Sequence, residues 1–152
     1  GITAGTSANT FNPYNNVTRA EAVTFLWRAS GTPEPTTEVN PFADVTEGDY
    51  FYKAVLWAYE EGITAGVSEN SFAPFEECTR AQIVTFLWRT MGCPESDIEV
   101  NFADVEPGAY YIGAVAWAVE NGIAVGMGGG HFGVISTCTR SQVVTFLYRT
   151  LA

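Results

Sequence analysis

Basic residues are scarce in this chain: seven Lys and Arg stand against 17 Asp and Glu in 152 residues, a formal charge of −10. Such a surface repels a phosphate backbone, which excludes nucleic acid as a general partner. Histidine occurs once, at His131, and the three cysteines (Cys78, Cys93 and Cys138) show no C-x-x-C spacing, so no zinc site or dithiol redox motif is written here. A helix beginning after Cys78 would carry Cys93 about 20 Å away, too far for a bridge. No run approaches the roughly 18 apolar residues of a membrane span, and no basic segment followed by an apolar one opens the sequence. If the protein is exported, its targeting signal lies outside these residues. No nucleophile, base and orienting residue recur together, so no catalytic residue is expected, and nothing calls for a cofactor or metal.

Apolar residues, by contrast, make up 47% of the chain, with four Trp, seven Tyr and ten Phe. That is enough for a real core, and the length fits one domain over residues 1–152. The chain also repeats itself. "GITAG" begins at Gly1 and Gly62 and "GIAVG" at Gly122, spacings of 61 and 60 residues, and the same spacings relate Thr18, Thr79 and Thr139. "FADV" occurs at Phe42 and Phe102 but nowhere earlier. The period implies three related units: residues 42–92, residues 102–152, and a first unit, 1–30, that lacks its front half.

Each full unit reads as two helices joined by an ordered loop. In "YFYKAVLWAYEEGI" the apolar residues at 50, 54, 57 and 58 follow helical spacing, and Gly62 with Ile63 forms a left-handed stop. "TAGVSENSFAPFEE" is turn chemistry, with room for a short hairpin. The second helix starts at a capping box, Thr18 with Glu21, Thr79 with Gln82 and Thr139 with Gln142. Val17, Cys78 and Cys138 precede these caps as small buried hydrophobes, each in staple register with Ala22, Ile83 or Val143. Five helices are therefore expected, and a sixth would complete a threefold pattern. Without it the fold has an apolar opening, to be filled by upstream residues of a parent protein, another chain or a rearranged segment.

Arg19, Arg80 and Arg140 fall at the first helical position, where free N–H groups and the dipole already make the site positive. Six of the seven basic residues belong to these helices, because Arg28, Arg89 and Arg149 sit at their far ends, where a cation suits the dipole. Two explanations fit the N-terminal arginines. They could pair with a carboxylate of a neighbouring unit such as Asp44 or Asp104 and tie the units together. Alternatively, guanidinium, free N–H groups and dipole could converge on an anion, since Arg presents a planar fork matched to carboxylate or phosphate.

These residues also carry a resemblance. "FADV" followed by Tyr-Tyr or Tyr-Phe, a helix ending in "GI", then "AG", a loop with F-x-P, and "TRAE" or "TRAQ" resembles the S-layer homology domain of Gram-positive bacterial surface proteins. It covers essentially the whole chain, as two full motifs and a trailing half motif. The resemblance implies an all-α, pseudo-threefold helical prism of about 60-residue repeats with ligand grooves between them. It further implies non-covalent anchoring of a larger exported protein to secondary cell-wall polysaccharide, often one carrying pyruvylated N-acetylmannosamine, at the bacterial surface.

On the same resemblance, the family's binding arginine maps onto Arg19, Arg80 and Arg140, its aspartate onto Asp44 and Asp104, and the glycine after its first helix onto Gly5, Gly66 and Gly126. Trp57 and Trp117 are further sugar-stacking candidates, although a small domain uses most of its aromatics as core. The third loop departs from the pattern. Gly128, Gly130 and Val134 replace Ser, Asn and Pro of the other two loops, and His131 stands where Thr10 and Ser71 stand, so the third pocket is expected to be altered. A surface module that has kept the fold and lost the glycan site is the alternative function.

Overall fold

The Thr-Arg segments nucleate three helices. Thr18, Thr79 and Thr139 accept the N–H of Glu21, Gln82 and Gln142 on their side chains, and those residues reach back to the cap N–H. The computed structural model describes all 152 residues, Gly1–Ala152. It contains α1 (Arg19–Ala29), α2 (Tyr52–Glu60), α3 (Arg80–Thr90), α4 (Ile112–Glu120) and α5 (Arg140–Leu151). No sheet forms, and the loops contribute single bridges such as Ser7 with Thr10, Ser68 with Ser71 and Gly128 with His131. The third loop thus keeps the turn of the other two despite its glycines.

α2 ends as its sequence requires. Gly62 takes φ +70°, and Ile63 N–H donates to Ala58 O at 2.8 Å, the bond that satisfies an orphan carbonyl in a glycine stop. Gly122 and Ile123 repeat the arrangement after α4.

The three units meet on a closed ring of main-chain hydrogen bonds. Val17 N–H donates to Cys138 O (2.8 Å), Cys138 N–H to Cys78 O (3.0 Å), and Cys78 N–H to Val17 O (2.8 Å). All three residues are fully buried, so these bonds are shielded from competing water. Burial pushes the Cys78 thiol up to about 12 and the Cys138 thiol to about 11, and both cysteines are free. They are inert packing groups on the pseudo-threefold axis.

Helices pair across units, not within them. α1 packs on α2 and α3 on α4, while α3 also touches α1 and α5. Trp57 and Trp117 lie in this core at 6% exposure, with Val23, Val84, Phe51 and Ile63 around them. α5 has no partner of the α2 type. Tyr148, the counterpart of Trp27 and Trp88, is consequently 74% exposed, and Leu151 54%. Ile2, Val144, Leu147, Tyr148, Leu151 and Ala152 line an apolar hollow of about 350 Å³ on that face.

Candidate functional site

The N-terminal arginines hold the same position three times over. Arg19 Nε–H donates to Phe72 O at 2.8 Å, Arg80 Nε–H to Phe132 O at 3.0 Å, and Arg140 Nε–H to Phe11 O at 2.8 Å. Each guanidinium lies over two rings: Arg19 over Phe72 and Phe86 at 4.8 and 5.5 Å, Arg80 over Phe132 and Phe146 at 4.8 and 5.5 Å, and Arg140 over Phe11 and Phe25 at 4.9 and 5.3 Å. Desolvated cation–π contacts of this kind contribute about 2 kcal/mol each. Burial lowers the pKa of Arg19 and of Arg80 from the ordinary value, yet an arginine so far above neutrality keeps its charge.

The helix N-termini themselves are not anion sites, which corrects one half of the sequence expectation. Arg19 N–H donates to Glu76 O, Arg80 N–H to Ser136 O and Arg140 N–H to Asn15 O, each at 2.8 Å, and the next N–H along goes to Pro74 O, Val134 O or Pro13 O. With the cap taking the third, the orphan donors are satisfied by the next unit's loop. That is how a cation is tolerated at this position: its side chain leaves the dipole's end and points between units.

Asp44 and Asp104 do not meet these arginines, so the proposed inter-unit ion pair with them is absent. Asp44 instead accepts from Phe72 N–H (2.9 Å), Ala73 N–H (2.8 Å) and Ser71 Oγ (2.7 Å), and Asp104 from Phe132, Gly133 and Val134 N–H (2.7, 2.7 and 3.0 Å). Partial burial raises each carboxyl's pKa, but the accepted bonds outweigh it and hold both below the ordinary value. The aspartates grip the very peptide whose carbonyl and ring seat the arginine. Phe11, the counterpart of Phe72 and Phe132, is only partly buried.

Three open grooves result, of about 400, 330 and 380 Å³, each named here by its N-terminal arginine. The Arg19 groove takes Gly66, Gln82, Thr85 and Arg89 from the second unit and Tyr110 from the third. The Arg80 groove takes Gly126, Gln142, Thr145 and Arg149 from the third unit. The Arg140 groove takes Gly5, Glu21, Thr24 and Arg28 from the first and Tyr50 from the second. Each complete groove therefore needs all three units. No tyrosine is among the residues that line the Arg80 groove.

Of the residues expected from the sequence, Arg19, Arg80, Arg140, Gly5, Gly66 and Gly126 line grooves, whereas Asp44, Asp104, Trp57 and Trp117 do not. The tryptophans serve packing on α2 and α4. The glycines have a local reason: a Cβ on Gly66, at φ +83°, would stand 2.6 Å from both the Phe42 ring edge and Ser71 O. Four groove positions went unrecognised in the sequence. Arg28, Arg89 and Arg149 donate to Ile2, Ile63 and Ile123 carbonyls at 3.5, 3.0 and 3.1 Å and give each groove its second cation. Thr24, Thr85 and Thr145 back-bond their own helices at 2.7, 2.7 and 2.8 Å. The other two are the tyrosines Tyr50 and Tyr110, and the cap residues Glu21, Gln82 and Gln142. His131 is exposed and binds only its own loop at Gly129 O, and no three His, Cys, Asp or Glu side chains converge on a metal position.

The three arginines differ at their tips. Arg140 Nη1 pairs with Glu21 Oε1 at 2.8 Å, and Arg80 Nη2 donates to Val125 O at 2.6 Å. Arg19 Nη2 is buried with no partner at all.

Known proteins share the pattern. A family model described as the S-layer homology domain matches residues 1–23, 41–84 and 101–144. The chain is 36% identical over 107 residues to an endoglucanase of Bacillus sp. (strain KSM-635), a match covering 66% of this chain and 11% of that protein. It is 31% identical over 116 residues to a cell surface protein of Thermoanaerobacter kivui (73% and 15%). A third relative is a cellulosome-anchoring protein of Acetivibrio thermocellus, 27% identical over 104 residues (63% and 23%). The chain thus spans less than a quarter of the length of each of these relatives. Three matched segments, at the three repeats that build the grooves, place this chain in the S-layer homology domain family of cell-surface modules.

Proposed function

We propose that the chain is a non-catalytic module that attaches a larger exported protein to cell-wall polysaccharide through its inter-unit grooves. The observation that carries this reading is the arrangement of cations: six of seven basic residues line three open grooves, two per groove, on a chain of net charge −10. A protein that folds around paired charges would place carboxylates against them, yet no acidic side chain lines the Arg19 or Arg80 groove. A surface module without a glycan site accounts less well for two grooves whose paired cations face no carboxylate. The names of the relatives agree in location, since they include a cell surface protein and a cellulosome-anchoring protein.

A pyruvyl ketal would supply the carboxylate that two guanidinium groups favour, and the sugar ring would lie against the groove tyrosine. The background charge opposes any anionic polymer, so the affinity must come from these local contacts. The exposed face of α5 would be covered by a helix patterned like α2, whether from a longer parent chain or another molecule. Sedimentation of the chain with purified wall polysaccharide tests the main reading. Removal of pyruvyl groups and the double variant Arg19→Ala, Arg80→Ala should each release the chain from the pellet; full retention under both treatments overturns it.

A further inference from the structure

Glu21, Gln82 and Gln142 occupy one structural position in three grooves, and they divide the grooves into two kinds. In every case one side-chain oxygen must accept the cap N–H: Glu21 Oε2 from Thr18 (3.0 Å), Gln82 Oε1 from Thr79 (3.0 Å) and Gln142 Oε1 from Thr139 (2.9 Å). The remaining atom is then fixed. For Glu21 it is Oε1, an anionic acceptor 2.8 Å from Arg140 Nη1. For Gln82 and Gln142 it is an amide NH2, which only donates.

The Arg19 groove consequently offers donors where the Arg140 groove holds an acceptor. Arg19 is 3% exposed; its Nη2 is the one arginine nitrogen in the fold that is buried and unpartnered, and its Nη1, the counterpart of the atom that Glu21 holds on Arg140, meets no protein acceptor. Leaving a buried donor of a charged group unpaired is costly, and a native fold that does so calls for a specific explanation. Arg89 adds a second cation and Tyr110 an aromatic edge to the same groove.

We propose that Glu21 occupies the Arg140 groove as an internal surrogate for a ligand carboxylate, and that the Arg19 groove, freed by Gln82, is the principal site for a carboxylate-bearing saccharide. This inference rests on the glycan-binding reading above and assigns that activity unequally among grooves that composition alone would treat as equivalent. The saccharide carboxylate takes, against Arg19 Nη1 and the Gln82 amide, the place that Glu21 Oε1 takes against Arg140 Nη1. The Arg80 groove shares the neutral Gln142 but has its guanidinium tip bound to Val125 O, so it is the weaker second site.

The fold itself supplies the test, because each exchange installs a residue that a sister unit already uses in the same cap. Side-chain NMR signals of Arg19, Arg80 and Arg140 would be followed while the full chain is titrated with the methyl glycoside of pyruvyl-ketal N-acetylmannosamine, and with its methyl ester as the uncharged control. Arg19 should respond first and Arg140 not at all, and the ester should bind at least about tenfold more weakly, as loss of a charge-assisted bond implies. Gln82→Glu should weaken the Arg19 response by at least about tenfold, and Glu21→Gln should make Arg140 respond. The proposal is overturned if Gln82→Glu titrates like the parent chain or if Arg140 stays silent in Glu21→Gln. Failure of all variants to bind either the glycoside or wall polysaccharide would instead sink the glycan-binding reading. Far-UV circular dichroism confirms that each variant is folded.

Discussion

The Arg19 and Arg140 grooves are assembled from the same parts in the same order, yet one ends in an unpartnered guanidinium and the other in an ion pair. They differ beneath the arginine as well. Phe72 is fully buried and its peptide is gripped by Asp44, whereas Phe11 is only half-buried and its loop is tied by short hydroxyl and amide contacts among Thr6, Ser7, Thr10 and Asn12. A buried, aspartate-held seat and a free guanidinium tip go together on one side of the molecule. On the other side a half-buried seat goes with a tip already satisfied. Preorganisation matters most where an outside ligand must find the donors in place.

The sharpest way to break this comparison is at the seat. Phe72→Ala removes a fully buried ring and should cost about 3–5 kcal/mol, because a core cavity adds to the lost transfer energy. Phe11→Ala, at a half-buried position, should cost less than about half of that on the same scale. Urea unfolding of both variants measures the difference. Equal losses would mean that the two seats are equally rigid, and the contrast between grooves would reduce to charge alone.

Asp44→Ala tests the next layer. It strips three hydrogen bonds from the loop that seats Arg19, with an expected loss of roughly 1.5–3 kcal/mol, the range for bonds to a charged acceptor. The sign with pH follows from the lowered carboxyl pKa of Asp44 and Asp104. A carboxylate held below its ordinary value of 3.8 contributes its full stability above that value and loses it as pH falls through the lower folded one. Between pH 6 and pH 3 the parent chain should therefore lose stability that the Asp44→Asn, Asp104→Asn variant has already lost at pH 6. Parallel urea midpoints for the two proteins over that interval would refute the clamp.

Much of this architecture was legible before any coordinates. The 60-residue period, the capping boxes, the glycine stops and the arginine at the first helical turn all depend on residues close in sequence, and the structure reproduces them. What the sequence concealed lies at longer range. The carbonyls that quench the N–H groups of Arg19 and Arg80 come from Glu76 and Ser136, one unit further on, so a helix start that looked open is closed. Tyr50 and Tyr110 reach grooves whose arginines, Arg140 and Arg19, belong to other units, which no local pattern announces. Arg28, Arg89 and Arg149 had a sufficient explanation in the helix dipole, and that sufficiency hid their second position in the grooves. Trp57 and Trp117 drew notice as aromatics, but α2 packs on α1 and α4 on α3 and both rings are buried in the core, so packing takes them.

The smallest expected effect concerns stability at Glu21. Arg140 has only 4% of its side chain exposed, and removing one member of a buried ion pair can cost 3–5 kcal/mol or so when the other charge is left without compensation. The sister sites argue for far less. Arg19 and Arg80 are as buried, at 3% and 5%, and face glutamine, yet each keeps its Nε bond to a carbonyl, its two aromatic faces and an open groove. Glutamine also preserves the capping box, as it does in α3 and α5. Glu21→Gln should therefore lower stability by no more than about 1 kcal/mol, the value of a partly exposed pair. A loss of about 3 kcal/mol in urea unfolding would show that Arg140 depends on its carboxylate as Arg19 does not, making Glu21 a structural member of the third groove and not a tenant that a ligand could replace.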